Sequence, residues 1–115
     1  MLHRVIGAIA LLGGFALRHN HLMKSTPGAG DSLGAAPRAI ELWFHERPEI
    51  AFTSVTLLGA DSLRLPVGKA APGADSLEVI VPLQATLPRG DYLVRWRTAS
   101  QDGHAVRGEF RFSVR

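Results

Sequence analysis

The sequence predicts an all-β protein, an immunoglobulin-like Greek-key β-sandwich or barrel of about seven strands. Three observations carry this. Beyond residue 18 the apolar residues recur every second position in short runs, the period of a half-buried strand. The 7 Pro and 12 Gly of the 115 residues fall largely between those runs, and no run shows the wider spacing of an amphipathic helix. A composition of 46% hydrophobic and 20% charged residues is that of a folded chain rather than a disordered one, and the length accommodates one core but not two.

The chain opens on Met1 to Arg4 and then the apolar run Val5 to Leu17, VIGAIALLGGFAL. As a helix this run reaches about 20 Å, short of a hydrocarbon core of about 30 Å. A short apolar stretch behind a basic lead is the pattern of a secretory signal peptide, expected over residues 1–18 with the mature domain at 19–115. Arg18 stands where such a junction favours a small residue. Losing Arg4 and Arg18 from 13 basic residues, against 10 acidic ones, takes the formal net charge from +3 to +1. Such a balance does not argue for nucleic-acid binding. With no cysteine, disulfides, thiolate-bound metals and thiol catalysis are excluded, and a secreted chain without cysteine fits a bacterial envelope.

The strands follow in order. Leu22 to Lys24 opens the first, closed by Ser25-Thr26-Pro27-Gly28. Ala39 to His45 is the second, with Ile40, Leu42 and Phe44 on one face and Glu41, Trp43 and His45 on the other. Thr53 to Leu58 is the third, and Leu63 to Val67, interrupted by Pro66, a weak fourth. Leu77, Val79 and Val81 share a face of the fifth. In the sixth, Tyr92, Val94 and Trp96 point inward and Leu93, Arg95 and Arg97 outward. In the seventh, Val106, Gly108, Phe110, Phe112 and Val114 face the core. Tyr92 follows the Leu87-Pro88-Arg89-Gly90 turn, the position of a tyrosine corner whose hydroxyl bonds back to the preceding loop. Phe44, Trp96, Phe110 and Phe112 supply the core, each burial contributing about 1.5–3 kcal/mol.

The candidate chemistry lies in His19, His21, His45 and His104, with Glu46 and Asp102 beside them. If seven strands alternate in direction, the start of the first, the end of the second and the end of the sixth meet at one pole. His19, His45-Glu46 and the Asp102-Gly103-His104 loop then come together. Asp102 and His104 are two apart and project to one side in extended backbone. Cleavage before His19 would leave its free amine and imidazole able to grip one metal ion, with His104 and Asp102 adding a nitrogen and an oxygen. Such a set suits Cu(II) in a tetragonal plane, while Zn(II) could use the same atoms tetrahedrally. Cu(I) prefers soft sulfur, and only Met23 remains after residue 18.

These residues also resemble a known family, the periplasmic copper-binding CopC domain, from His19 to the C-terminus. The resemblance rests on His19-x-x-Leu22 with Ser25-Thr26-Pro27-x-x-Gly30, on Ile40-Glu41-Leu42-x-Phe44-x-Glu46 and on Gly90-x-Tyr92-x-Val94-x-Trp96. Its most specific stretch is Ser100-x-Asp102-Gly103-His104-x-Val106-x-Gly108-x-Phe110-x-Phe112-x-Val114. It implies a small Greek-key β protein of the periplasm binding one Cu(II) ion through His19, Asp102 and His104. It also implies a role in copper tolerance, storage or delivery, beside an inner-membrane copper importer of the CopD type. The family's methionine-rich Cu(I) loop is missing from this sequence, which resembles the Cu(II)-only type. His45 stands where Ser is usual.

His21 and His45 are candidate extra ligands, and Glu46 a candidate partner orienting the amine or a ligand histidine. No nucleophile–base pair or paired carboxylates occur at a convincing spacing, so the expectation is a binding protein, monomeric, and not an enzyme. Two alternatives belong to other classes. One is an oxidative copper enzyme, since a terminal-histidine copper grip is similar to that of polysaccharide monooxygenases. The other is a metal-free immunoglobulin-like interaction module.

Overall fold

The computed structural model describes residues 20–115. The expected signal peptide and His19 lie outside the described residues. Among those residues the chain forms nine strands: β1 (Leu22–Thr26), β2 (Ser32–Leu33), β3 (Ala39–Phe44), β4 (Ser54–Leu58), β5 (Arg64–Leu65), β6 (Ala71–Pro72), β7 (Glu78–Pro82), β8 (Gly90–Ala99) and β9 (Ala105–Val114). They build a four-stranded sheet in the order β1-β3-β7-β6 and a five-stranded sheet in the order β2-β9-β8-β4-β5. The pairs are antiparallel apart from β2 with β9, which is parallel. No helix among the described residues is long and apolar enough to cross a membrane.

All seven expected strands are present. The two additional ones, β2 and β6, are two residues long, too short to display an alternation, and β6 contains Pro72. β5 is likewise cut to two residues by the proline after it.

Alternation places the core. Ile40, Leu42 and Phe44 of β3 and Val79 and Val81 of β7 meet Val55, Leu57, Val94, Trp96, Phe110 and Phe112 from the opposite sheet. Phe44 meets the edge of Trp96 across the sandwich, centroids 5.4 Å apart at 70°, and Tyr92 stacks on Phe112 at 5.3 Å and 19°. The tyrosine corner is present, with the Tyr92 hydroxyl donating to the Pro88 carbonyl. Leu93 departs from the expectation. It pairs with Leu58 on the outer face, yet both are buried, and the one-turn 3-10 segment Ala60–Ser62 lies against β8 nearby. Gly108 faces Trp96, where a Cβ would come within 2.5 Å of the indole ring. Only a residue without a side chain lets the ring lie flat on β9.

Candidate metal centre at one pole of the sandwich

Three chain segments come together where β1 begins, β3 ends and β8 turns into β9. β1 and β3 are antiparallel with Leu22 opposite Phe44, so the start of one meets the end of the other. The segment after β3 then crosses to the second sheet, where the Glu49 amide donates to the Ala99 carbonyl at 3.1 Å. Below this crossing the Thr53 hydroxyl bonds the Glu49 carbonyl at 2.7 Å and lies 2.8 Å from the buried Thr98 hydroxyl. The shared pole expected from strand parity is therefore present. The extra dipeptide strands add to the edges of the two sheets and leave it intact.

The β8–β9 turn is a tight loop from Ser100 to His104. The Ser100 amide donates to the His104 carbonyl at 3.1 Å, and the Gly103 amide to the Ser100 carbonyl at 2.9 Å. Gly103 takes φ +89°, the left-handed region that glycine reaches without strain. Asp102 holds the loop from inside. Its Oδ1 accepts the Ser100 hydroxyl and the His104 amide, the latter at 3.1 Å. Its Oδ2 lies 3.0 Å from His104 Nδ1. These bonds, the Ser100 hydroxyl foremost and then the His104 amide and imidazole, hold the Asp102 carboxyl far below the usual carboxylate range. Asp102 and His104 are both more than half exposed.

The pole carries further groups. Asn20, just ahead of β1, is buried, and its side chain is bonded twice to the main chain of Glu46. Sequence reasoning did not single out Asn20. A polar residue leading into an apolar strand was the available signal, but its partner lies 26 positions away. Glu46 joins the pole through its backbone, with its side chain exposed. His21 and His45 are stacked on the outer face, ring centroids 4.8 Å apart. Among the described residues, no three metal-ligating side chains converge. What they offer is an imidazole and a carboxylate in contact on an exposed turn, and one residue beyond the described chain, joined to the anchored Asn20, a further histidine.

The protein is thus of the class of small cysteine-free β-sandwiches with an exposed imidazole–carboxylate pair at one pole. Within that class the chain belongs to the CopC domain family, whose model matches residues 22–115. It is 36% identical over 107 residues to copper resistance protein C of Escherichia coli, covering 87% of this chain and 84% of that one. To copper resistance protein C of Xanthomonas campestris pv. juglandis it is 32% identical, covering 96% and 91%. In structure it is similar to CopC of Methylosinus trichosporium OB3b, with a TM-score of 0.77, 31% identity, and 84% and 93% of the two chains covered. PcoC, a methionine-rich copper resistance protein of Escherichia coli, superimposes with a TM-score of 0.76 at 34% identity over 84% and 99%.

Proposed function

We propose that this protein binds one Cu(II) ion at the pole described above and stores it or passes it on in the periplasm. The ligands in this reading are the His19 amine and imidazole, the Asp102 carboxylate and the His104 imidazole. The family, with its named copper resistance relatives, supports copper as the ion.

The observation that carries the reading is the 3.0 Å separation of Asp102 Oδ2 and His104 Nδ1. Two donors on adjacent corners of a tetragonal plane, each about 2.0–2.1 Å from the ion, stand about 2.9 Å apart. The loop thus presets one edge of such a plane. An arriving ion takes the place of the proton between the two groups. The remaining corners fall to His19. Asn20 serves this geometry by anchoring the chain one residue from it, so that the leading amine need order little more backbone than its own. With Met23 the one methionine after residue 18, soft donors for Cu(I) are scarce, in contrast to the methionine-rich PcoC.

Residues 1–18 act in this reading as a signal peptide whose removal exposes the His19 amine. Delivery to a CopD-type importer in the inner membrane fits a further likeness. Most of this chain aligns at 31% identity with 18% of the longer copper transport protein CutJ of Bacillus subtilis, so a module of this kind also occurs inside a larger transport protein. We read the chain as a monomeric binding protein rather than an enzyme. The test is a competitive Cu(II) titration of the protein beginning at His19. The tight equivalent should weaken on the order of tenfold or more in His104→Ala and in Asp102→Ala. Unchanged affinity in both variants would refute the site.

A further inference from the structure

The outer face of β1 and β3 holds a second imidazole arrangement that the proposed copper site does not use. His21 and His45 stand opposite each other at the ends of the two strands, where the His45 amide donates to the His21 carbonyl at 2.9 Å. Their rings are 4.8 Å apart between centroids and 17° from parallel. Both residues are exposed.

A β-bulge creates this pairing. Leu22 pairs with Phe44 and Lys24 with Trp43, so Met23 is the extra residue on β1. In an unbroken strand Leu22 and Lys24 would share a face. The bulge separates them. Leu22 packs against the core, while Lys24 lies on the outside with its ammonium 4.6 Å from the Trp43 ring centroid. His21, one residue before Leu22, consequently faces outward. His45, one residue after the buried Phe44, faces outward beside it.

We propose that His21 and His45 form a second divalent-ion site, a two-imidazole chelate completed by water and separate from the Asp102–His104 turn. It would take Cu(II) in preference to Zn(II), as imidazole donors follow the general affinity order. The backbone hydrogen bond fixes the spacing of the two residues' main chains before any ion arrives, and rotation of two exposed rings is the remaining adjustment. Nitrogens bound at about 2.0–2.1 Å stand about 2.9–4.2 Å apart, from cis to trans, a span that rings already in contact can reach. Among the described residues neither ring has a hydrogen-bond or ion-pair partner competing for its nitrogens. Two neutral donors without a carboxylate make this the weaker of the two sites, filled only when copper exceeds one equivalent.

The proposal shares the metal with the reading above but needs neither Asp102 nor His104, and the test keeps the two apart. Cu(II) alone is titrated by calorimetry and spin resonance into the protein beginning at His19 and into its His21→Ala, His45→Ala and His104→Ala variants. The wild type should take two equivalents, the second about tenfold or more weaker than the first. His21→Ala and His45→Ala should each lose the second and keep the first. His104→Ala should lose the tight equivalent and keep the weak one. In the wild type, Cu(II) beyond one equivalent should broaden the ring-proton resonances of His21 and His45, a readout that needs no variant to fold. Saturation at one equivalent overturns the proposal, as does a second equivalent that survives both substitutions. A first equivalent weakened about tenfold by His21→Ala or His45→Ala would assign that imidazole to the turn site and also overturn it. Loss of the tight equivalent in the wild type, with a weak one still answering to His21 and His45, would sink the turn site and leave this one standing.

Discussion

Asn20 holds Glu46 at both of its main-chain groups: its side-chain amide donates to the Glu46 carbonyl at 2.9 Å, and its side-chain oxygen accepts the Glu46 amide at 2.8 Å. One side chain thereby continues the β1–β3 ladder past its last backbone pair. It also fixes the point from which residue 19 departs.

Asn20→Ala should therefore act twice. It leaves the Glu46 N–H and C=O without their partners in a half-buried setting, a cost of about 1–3 kcal/mol. That lowers the melting temperature by about 4–8 °C per kcal/mol for a domain of this size. It also frees the leading residue, so Cu(II) affinity should fall although no ligand has changed. Thermal unfolding and a copper titration on the same sample check both, and a variant with full stability and full affinity would show that the anchor is incidental.

Gly108→Ala tests the packing of the same sandwich. The new methyl would lie 2.5 Å from Trp96 Cζ2 and 2.8 Å from Cε2, and Trp96 is itself wedged against Phe44. Displacing a buried ring costs about 1–3 kcal/mol. The expected result is a lower midpoint in denaturant with an altered indole emission. Wild-type values for both would contradict the flat seating of the ring.

Tyr92→Phe removes the hydroxyl that bonds the Pro88 carbonyl and should cost about 1 kcal/mol near neutrality. The difference should shrink in alkali. Burial raises the Tyr92 hydroxyl above its ordinary value, so the folded protein resists an ionisation that the unfolded chain undergoes near pH 10. The stability contributed by the neutral hydroxyl is full below that pH and is lost as pH rises through the folded value. Denaturant curves at neutral and alkaline pH check this, and Tyr92 is the one tyrosine in the chain, so phenolate absorbance reports it without interference. A constant difference between wild type and variant would count against it.

Copper affinity should fall on acidification through the range where imidazoles take up protons, about pH 6.5 for an ordinary one. Asp102 does not set this limit. Its folded value is depressed, so the carboxylate stays ionised while the pH passes through the normal carboxylate range and is protonated only below it. The fall in affinity should therefore begin well before Asp102 titrates. Competitive titrations from neutral to mildly acidic pH provide the measurement, and an affinity that held until carboxylate pH values would remove the imidazoles from the site.

Much of this architecture was legible because two-residue alternation is a direct consequence of strand geometry. It exposed β3, β8 and β9 with their inward aromatics. It also gave the shared pole, since the seven expected strands pair as alternating directions require, although β2 and β6 break that alternation in the full chain order. What it missed had physical reasons. β2 and β6 are held by neighbouring strands rather than by a pattern of their own. Leu93 follows the outward phase but is buried, an outcome set by a segment elsewhere in the chain. The Met23 bulge shifts phase within five residues, and the Asn20–Glu46 link joins positions that no local rule connects. Asp102 and His104 were legible because their spacing is local.

In the proposed site the leading residue and the Asp102–His104 turn share one copper ion. Spin resonance of the Cu(II)-loaded protein tests it most directly, comparing a chain that begins at His19 with the same chain acetylated at that amine. The acetyl group keeps every imidazole and carboxylate but turns the His19 amine into an amide and adds no new amine. The expected result is a tetragonal signal whose nitrogen couplings decrease by one and whose affinity drops on the order of tenfold or more in the acetylated chain. Identical spectra and identical affinities for the two chains would contradict it.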